Sequence, residues 1–200
     1  LRIDDSGSFS DKLKSLIASD FIVEYVPFGE SKRNVHYKLI DPFCIFYQKY
    51  VINQHIMDPE FWTRNHTSQS VVSWRGIAFE EVCFRHIRQI KTALGINGVA
   101  TNQSSWALEG DGNEEGLQLD LLIHRNDNVI NMCEMKFFSV EFSVDKTYDR
   151  KIAHRMNVLT EKISPKIIIH STLITTFGLA YNEYSNAFTN VVTLEDLFAF

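Results

Sequence analysis

The stretch 119–137 constrains this chain more than any other. Two runs of large apolar residues, 119–124 and 129–137, flank the turn-forming residues Asn126, Asp127 and Asn128, which is the pattern of a β-hairpin. Alternate residues of a strand face the same side. Glu134 and Lys136 therefore share a face with Met132, while Cys133, Met135 and Phe137 point the other way. On the first run, Asp120 shares a face with Leu122 and His124. A three-residue loop sets Asp120 opposite Glu134 and Leu122 opposite Met132, with Cβ atoms about 5 Å apart. An even loop sends the two acids to opposite faces.

Helices are expected on either side of this hairpin. Over 76–94, Phe79, Cys83, Ile87, Ile90 and Leu94 recur at helical spacing, and Gly95 is a typical helix terminator. Over 145–163 the same spacing joins Tyr148, Ile152, Met156, Leu159 and Ile163. Strands are expected at 99–108, 166–175 and 190–193, with a helical turn at 194–198. Helix, strand, hairpin, helix, strand is the order αβββαβ. It describes an α/β fold with a restriction-endonuclease-like core and a mixed sheet.

The first part of the chain reads differently. A helix capped by Ser8 or Ser10, a strand at 21–26, a turn at Pro27, Phe28 and Gly29, and a strand at 35–39 resemble the second half of a winged helix. Asp41 and Pro42 open a further helix rich in Phe43, Phe46, Tyr47 and Tyr50. The expected organisation is a partial winged helix with its linking helix over 1–52, a polar connection over 53–73, and a nuclease-like domain over 74–200.

Composition narrows the function little. The net charge is −5, so the chain as a whole is no polycation seeking phosphates. The three cysteines, Cys44, Cys83 and Cys133, are odd in number and widely spaced. They suggest neither a disulfide framework nor a zinc cluster, so a reducing cytoplasm is the expected compartment. No apolar run approaches the roughly 18 residues of a membrane span, so no membrane partner is expected.

Chemistry is expected at the hairpin. Two carboxylates on neighbouring strands repel unless a cation joins them. Magnesium accepts one or two carboxylates with waters completing its shell, and a lysine beside it can steady an attacking water and a charged phosphate. Asp120, then Glu134-Met135-Lys136, resembles the D…ExK signature of PD-(D/E)xK nucleases. Residues 37–43, 74–80, 117–136 and 191–198 look like the C-terminal region of a family of prokaryotic P-loop ATPases. In that family an AAA-like ATPase is followed by a winged helix and a nuclease-like domain of unassigned function. No proline precedes Asp120, a departure such folds tolerate, and no Walker motif occurs, so no ATP site is expected here.

The resemblance implies Glu80, Asp120, Glu134 and Lys136 as site positions, with Asp120 and Glu134 holding Mg²⁺ or Mn²⁺. Helical phase also favours Glu80, at the edge of the apolar stripe, over Glu81, which is expected to point into water. Nucleic-acid contacts are expected from Lys32 and Arg33 at the wing tip and from Lys151, Arg155 and Lys162 on one flank of the second helix. His86 is expected to be a hydrogen-bonded core residue and His124 a cross-strand one. The leading expectation is a DNA endonuclease-like domain of a longer chain whose ATPase half lies upstream. RNA as substrate and self-association are left open. The other expectation is a catalytically silent nuclease fold that binds DNA or protein and regulates the ATPase.

Overall fold

A computed structural model describes residues 7–27, 29, 31, 33–52, 59–108 and 117–199. By contact the chain divides into two compact units, 1–26 with 30–81, and 27–29 with 82–200.

In the first unit, α1 (Gly7–Ala18) leads into β1 (Ile22–Tyr25) and β2 (His36–Leu39), an antiparallel ribbon in which Glu24 pairs with Tyr37. The helix α2 (Pro42–Tyr50) follows. Its N-cap is Asp41, whose carboxylate accepts the Cys44 N–H at 2.6 Å, satisfying one of the donors that a helix start leaves open. A short helix α3 (Phe61–Asn65) and the first turns of α4 (Gln69–Arg85) lie where a polar connection was expected. Aromatic packing explains this. The Trp62 ring stacks on Phe46 at 5.6 Å and meets Trp74 at 5.8 Å, so tertiary contact overrides the weak local period.

The expected single helix over 76–94 is two helices. α4 starts earlier, with the Ser68 hydroxyl accepting the Val71 N–H at 3.4 Å, and α5 (Ile87–Ala93) resumes after a break at His86. The His86 ring bonds the Val82 carbonyl at 2.7 Å, which diverts an acceptor of the last turn to a side chain. The apolar stripe survives the break, because Cys83 and Ile90 are both fully buried. Gly95, at φ +69°, closes α5 as expected.

The second unit is built on a five-stranded mixed sheet in the order β3 (Thr101–Leu108), β4 (Leu117–Arg125), β5 (Val129–Lys136), β6 (Ile168–Thr175), β7 (Asn190–Thr193). β3, β4 and β5 run antiparallel, and β5, β6 and β7 run parallel. The chain is thus of mixed α/β class. α6 (Lys146–Lys162) makes the crossover from β5 to β6 and is capped by Asp145, which accepts the Tyr148 N–H at 2.7 Å. A 3-10 turn (Ser185–Ala187) precedes β7, and α7 (Leu194–Leu197) ends the fold with a capping box between Thr193 and Asp196.

Both faces of the sheet are buried. One face packs Leu122, Ile130, Met132 and Leu173 with Ile152 and Leu159 of α6. The other carries the buried residues Leu121, Ile123, Cys133, Met135, Ile174 and Val192. Among the described residues no helix is long and apolar enough to cross a membrane.

The β4–β5 turn is the three-residue loop that sets the acids' register. Leu122 pairs with Met132 and His124 with Ile130, and Asn128 takes φ +64°, the left-handed conformation that asparagine tolerates and branched residues do not. Asn128→Val is expected to cost about 1–2 kcal/mol, read as a lowered denaturation midpoint at unchanged slope. An unchanged midpoint would show that the turn geometry does not hold the hairpin.

Candidate active site

The carboxyl end of β5 brings several charged and protic side chains together. Glu134 lies in the sheet interior, only 5% exposed, on the face that α6 covers. An ionised carboxylate buried this deeply needs charged or protic partners, and it has three. Lys136, two residues on and therefore on the same face, brings Nζ to 2.9 Å from Glu134 Oε1. From α6, the Tyr148 hydroxyl donates to Oε1 at 2.7 Å, and Arg155 Nη1 donates to Oε2. Tyr148 and Arg155 are seven residues apart, two helical turns, so both project along one line of α6.

These partners set the ionisation. Burial pushes the Glu134 carboxyl up, but Lys136, Arg155 and the Tyr148 hydroxyl outweigh it and hold the group below the usual glutamate value of 4.5. Tyr148 moves the other way, kept protonated by burial and by the charge of Glu134. Because the folded value of Glu134 is depressed, its contribution to stability is complete above the unfolded value and is lost as pH falls through the folded one. The metal-free protein is therefore expected to lose stability as pH drops below 4.5. A Glu134→Gln variant should show a shallower acid limb in urea midpoints measured against pH. Parallel limbs would contradict the charged environment described here.

Asp120 sits on β4 at a discontinuity. The β4–β5 ladder runs from His124↔Ile130 to Leu121↔Cys133, and Asp120 and Glu134 are the next residues of β4 and β5 beyond its last pair. On the other side, β3 pairs Ser104 with Leu122 but Trp106 with Leu119. Ser105 therefore faces two residues of β4, Asp120 and Leu121. This is a β-bulge, a device that bends a strand and re-aims a side chain. Asp120 is half-buried and accepts the Gln118 side-chain amide at 3.1 Å.

A polar group that sequence reasoning missed lies next to them. Thr175 ends β6 on the rung of Lys136, and its hydroxyl is fully buried with no hydrogen-bond partner. Lys136, Thr175 and Glu134 alternate onto the α6 side of the sheet, at the carboxyl ends of parallel strands, where α/β sheets hold their ligands.

Carboxylate oxygens are the donor type a hard cation takes, and here both oxygens of Glu134 are engaged by Lys136, Tyr148 and Arg155. Asp120 and Glu134 offer carboxylate oxygens, and Glu134 is placed where positive charge is already required. Among the described residues no three His, Cys, Asp or Glu side chains converge. A cation held here would rest on the two carboxylates with water completing its shell, an arrangement magnesium accepts.

No protein family matches this chain. No curated protein matches it either. It is similar to a solved structure described as the crystal structure of the protein of unknown function AF1548, at 13% identity and a TM-score of 0.40. That similarity covers 58% of this chain and 64% of the other.

Glu80 belongs to the first unit, where Lys38 lies 3.9 Å from it. Glu81, expected in water, is 1% exposed, with Lys38 Nζ at 3.1 Å from its Oε1. The expectation fails because β2 supplies a counter-ion at the helix face that the apolar stripe alone marks as outward. Arg33 is exposed, and Lys32 lies outside the described residues. Lys151 and Lys162 are exposed on α6, with the Lys151 ammonium 5.9 Å from the centre of the Tyr148 ring, while Arg155 between them is drawn onto Glu134. His86 and His124 are structural, the latter bonded to Ser104 Oγ at 3.1 Å.

Proposed function

We propose that the second unit is a metal-dependent phosphodiester hydrolase of the PD-(D/E)xK, restriction-endonuclease-like kind, acting on DNA in a reducing cytoplasm. The carrying observation is the Glu134–Lys136 pair, 2.9 Å apart at the carboxyl end of β5, beside the bulge that bears Asp120. The order αβββαβ and the antiparallel-then-parallel sheet support the same reading. So do the three free cysteines, for the compartment. The helix and β-ribbon of the first unit support a winged helix, in keeping with the resemblance to the C-terminal region of a P-loop ATPase family.

In this reading Asp120 and Glu134 would hold Mg²⁺ or Mn²⁺, which would supply Lewis acidity to the phosphate and a more acidic water. Lys136 would orient the attacking water and offset charge on the phosphate. Tyr148 fixes the Glu134 carboxylate. Glu80 would assist from α4.

A second reading is favoured by one observation: both oxygens of Glu134 are already engaged by Lys136, Tyr148 and Arg155. A site so satisfied suits a silent fold that binds nucleic acid or a protein. Incubating the purified chain with labelled DNA and Mn²⁺ separates the two. The hydrolase cleaves, and its Asp120→Ala variant does not. Equal cleavage by both proteins, or none by either, refutes the assignment.

A further inference from the structure

We propose that an exposed aromatic rim at the carboxyl ends of β5 and β6 stacks unpaired bases, so that the strand presented to Glu134 and Lys136 is single-stranded DNA. The inference rests on the hydrolytic reading of that site and names its substrate class.

Two loops make the rim. Residues 137–144 leave the end of β5, and residues 176–182 leave the end of β6. Their backbones are tied together. The Phe142 N–H donates to the Gly178 carbonyl and the Ala180 N–H to the Phe142 carbonyl, both at 2.8 Å, and the Phe138 N–H donates to the Thr176 hydroxyl at 3.1 Å. This joined pair presents Phe138, Val140, Phe177 and Tyr181 to solvent, with Phe177 57% and Tyr181 95% exposed. Large apolar side chains exposed together mark a contact surface. Glu141 is the single charged residue of the two loops.

Ring contacts connect the rim to the site. Phe138 meets Phe142 edge-on at 5.0 Å, and Phe142 meets Tyr148 edge-on at 5.1 Å. The Tyr148 hydroxyl in turn donates to Glu134. A base seated on Phe138 therefore lies at the head of a line that ends on the site carboxylate. Ammonium groups flank this line: the half-buried Lys136, and Lys151, 5.9 Å from the Tyr148 ring centre.

Ring faces with a few cations beside them are what a single strand requires. A duplex hides its base faces in its own stack and is held chiefly through phosphates, which a chain of net charge −5 is poorly made to attract. Phosphates also answer the adjoining Lys136 and Lys151, as an apolar protein surface does not.

Fluorescence anisotropy of a labelled oligothymidylate, and of a labelled duplex of the same length, tests this in EDTA, where binding is read without cleavage. Wild type is expected to prefer the single strand by about tenfold or more, and Phe177→Ala and Tyr181→Ala each to weaken single-strand binding by about fivefold or more, the low end for one base–ring stack. Duplex binding should not move. Tyr181→Phe keeps the ring and should bind as wild type does. Both positions are exposed, so folding is not at stake. Equal affinity for the two DNAs, or wild-type single-strand affinity in both alanine variants, overturns the rim. If Mn²⁺-dependent cleavage that Asp120→Ala lacks is still seen, the hydrolase stands without it. Alanine variants that keep DNA affinity but dissociate an oligomer in sedimentation assign the rim to a second copy of this chain and overturn the proposal. Neither binding nor cleavage by wild type overturns both readings.

Discussion

Lys136→Ala is expected to slow Mn²⁺-dependent cleavage of a labelled oligonucleotide by about 10²–10³-fold, the usual cost of removing one preorganised charge-stabilising donor. The fold should survive the change. Glu134 retains Arg155 and Tyr148, and Lys136 is the most exposed of the charged groups around it, at 34% of its side chain. Loss of rate without loss of structure is therefore the signature of a group that meets the phosphate. A variant that cleaves at the wild-type rate would reduce Lys136 to a counter-ion for Glu134 and remove the main support for hydrolysis.

The second large effect concerns the platform beneath. Leu159→Ala should lower unfolding stability by about 2–5 kcal/mol, the range for deleting a fully buried leucine side chain. Leu159 has no exposed surface and packs with Leu122, Met132 and Leu173 beneath α6. Chemical denaturation measures the loss directly. A change under about 1 kcal/mol, typical of surface substitutions, would mean that α6 does not dock on the sheet as described. Because α6 carries both Tyr148 and Arg155, loosening it should also relax the grip on Glu134.

The parts of this molecule that were legible in the sequence are those fixed by short-range rules. The hairpin is the clearest case. Asn126, Asp127 and Asn128 make an odd loop, and alternation then puts Leu122 against Met132, as observed. The stripe of α6 was equally plain, since Ile152 and Leu159 are fully buried at their expected places. What could not be read depended on partners distant in sequence. The break at His86 interrupts a stripe that continues unchanged on both sides. Glu81 is buried because Lys38, far back in the chain, sits beside it. Tyr148 was read as apolar filler because its ring belongs to the core stripe, while its hydroxyl does the polar work at the tip. Its spacing of seven residues from Arg155 was the available signal that the two serve one carboxylate.

Thiol chemistry gives this fold a reporter of its own. Cys83 and Cys133 are essentially without exposed surface, and Cys133 is held protonated by burial and by the neighbouring Cys83. A maleimide or disulfide reagent can reach them only when this side of the sheet opens. The labelling half-life of these two sulfurs therefore times the breathing of β5, the strand that bears Glu134 and Lys136, and ligands that clamp that strand should lengthen it.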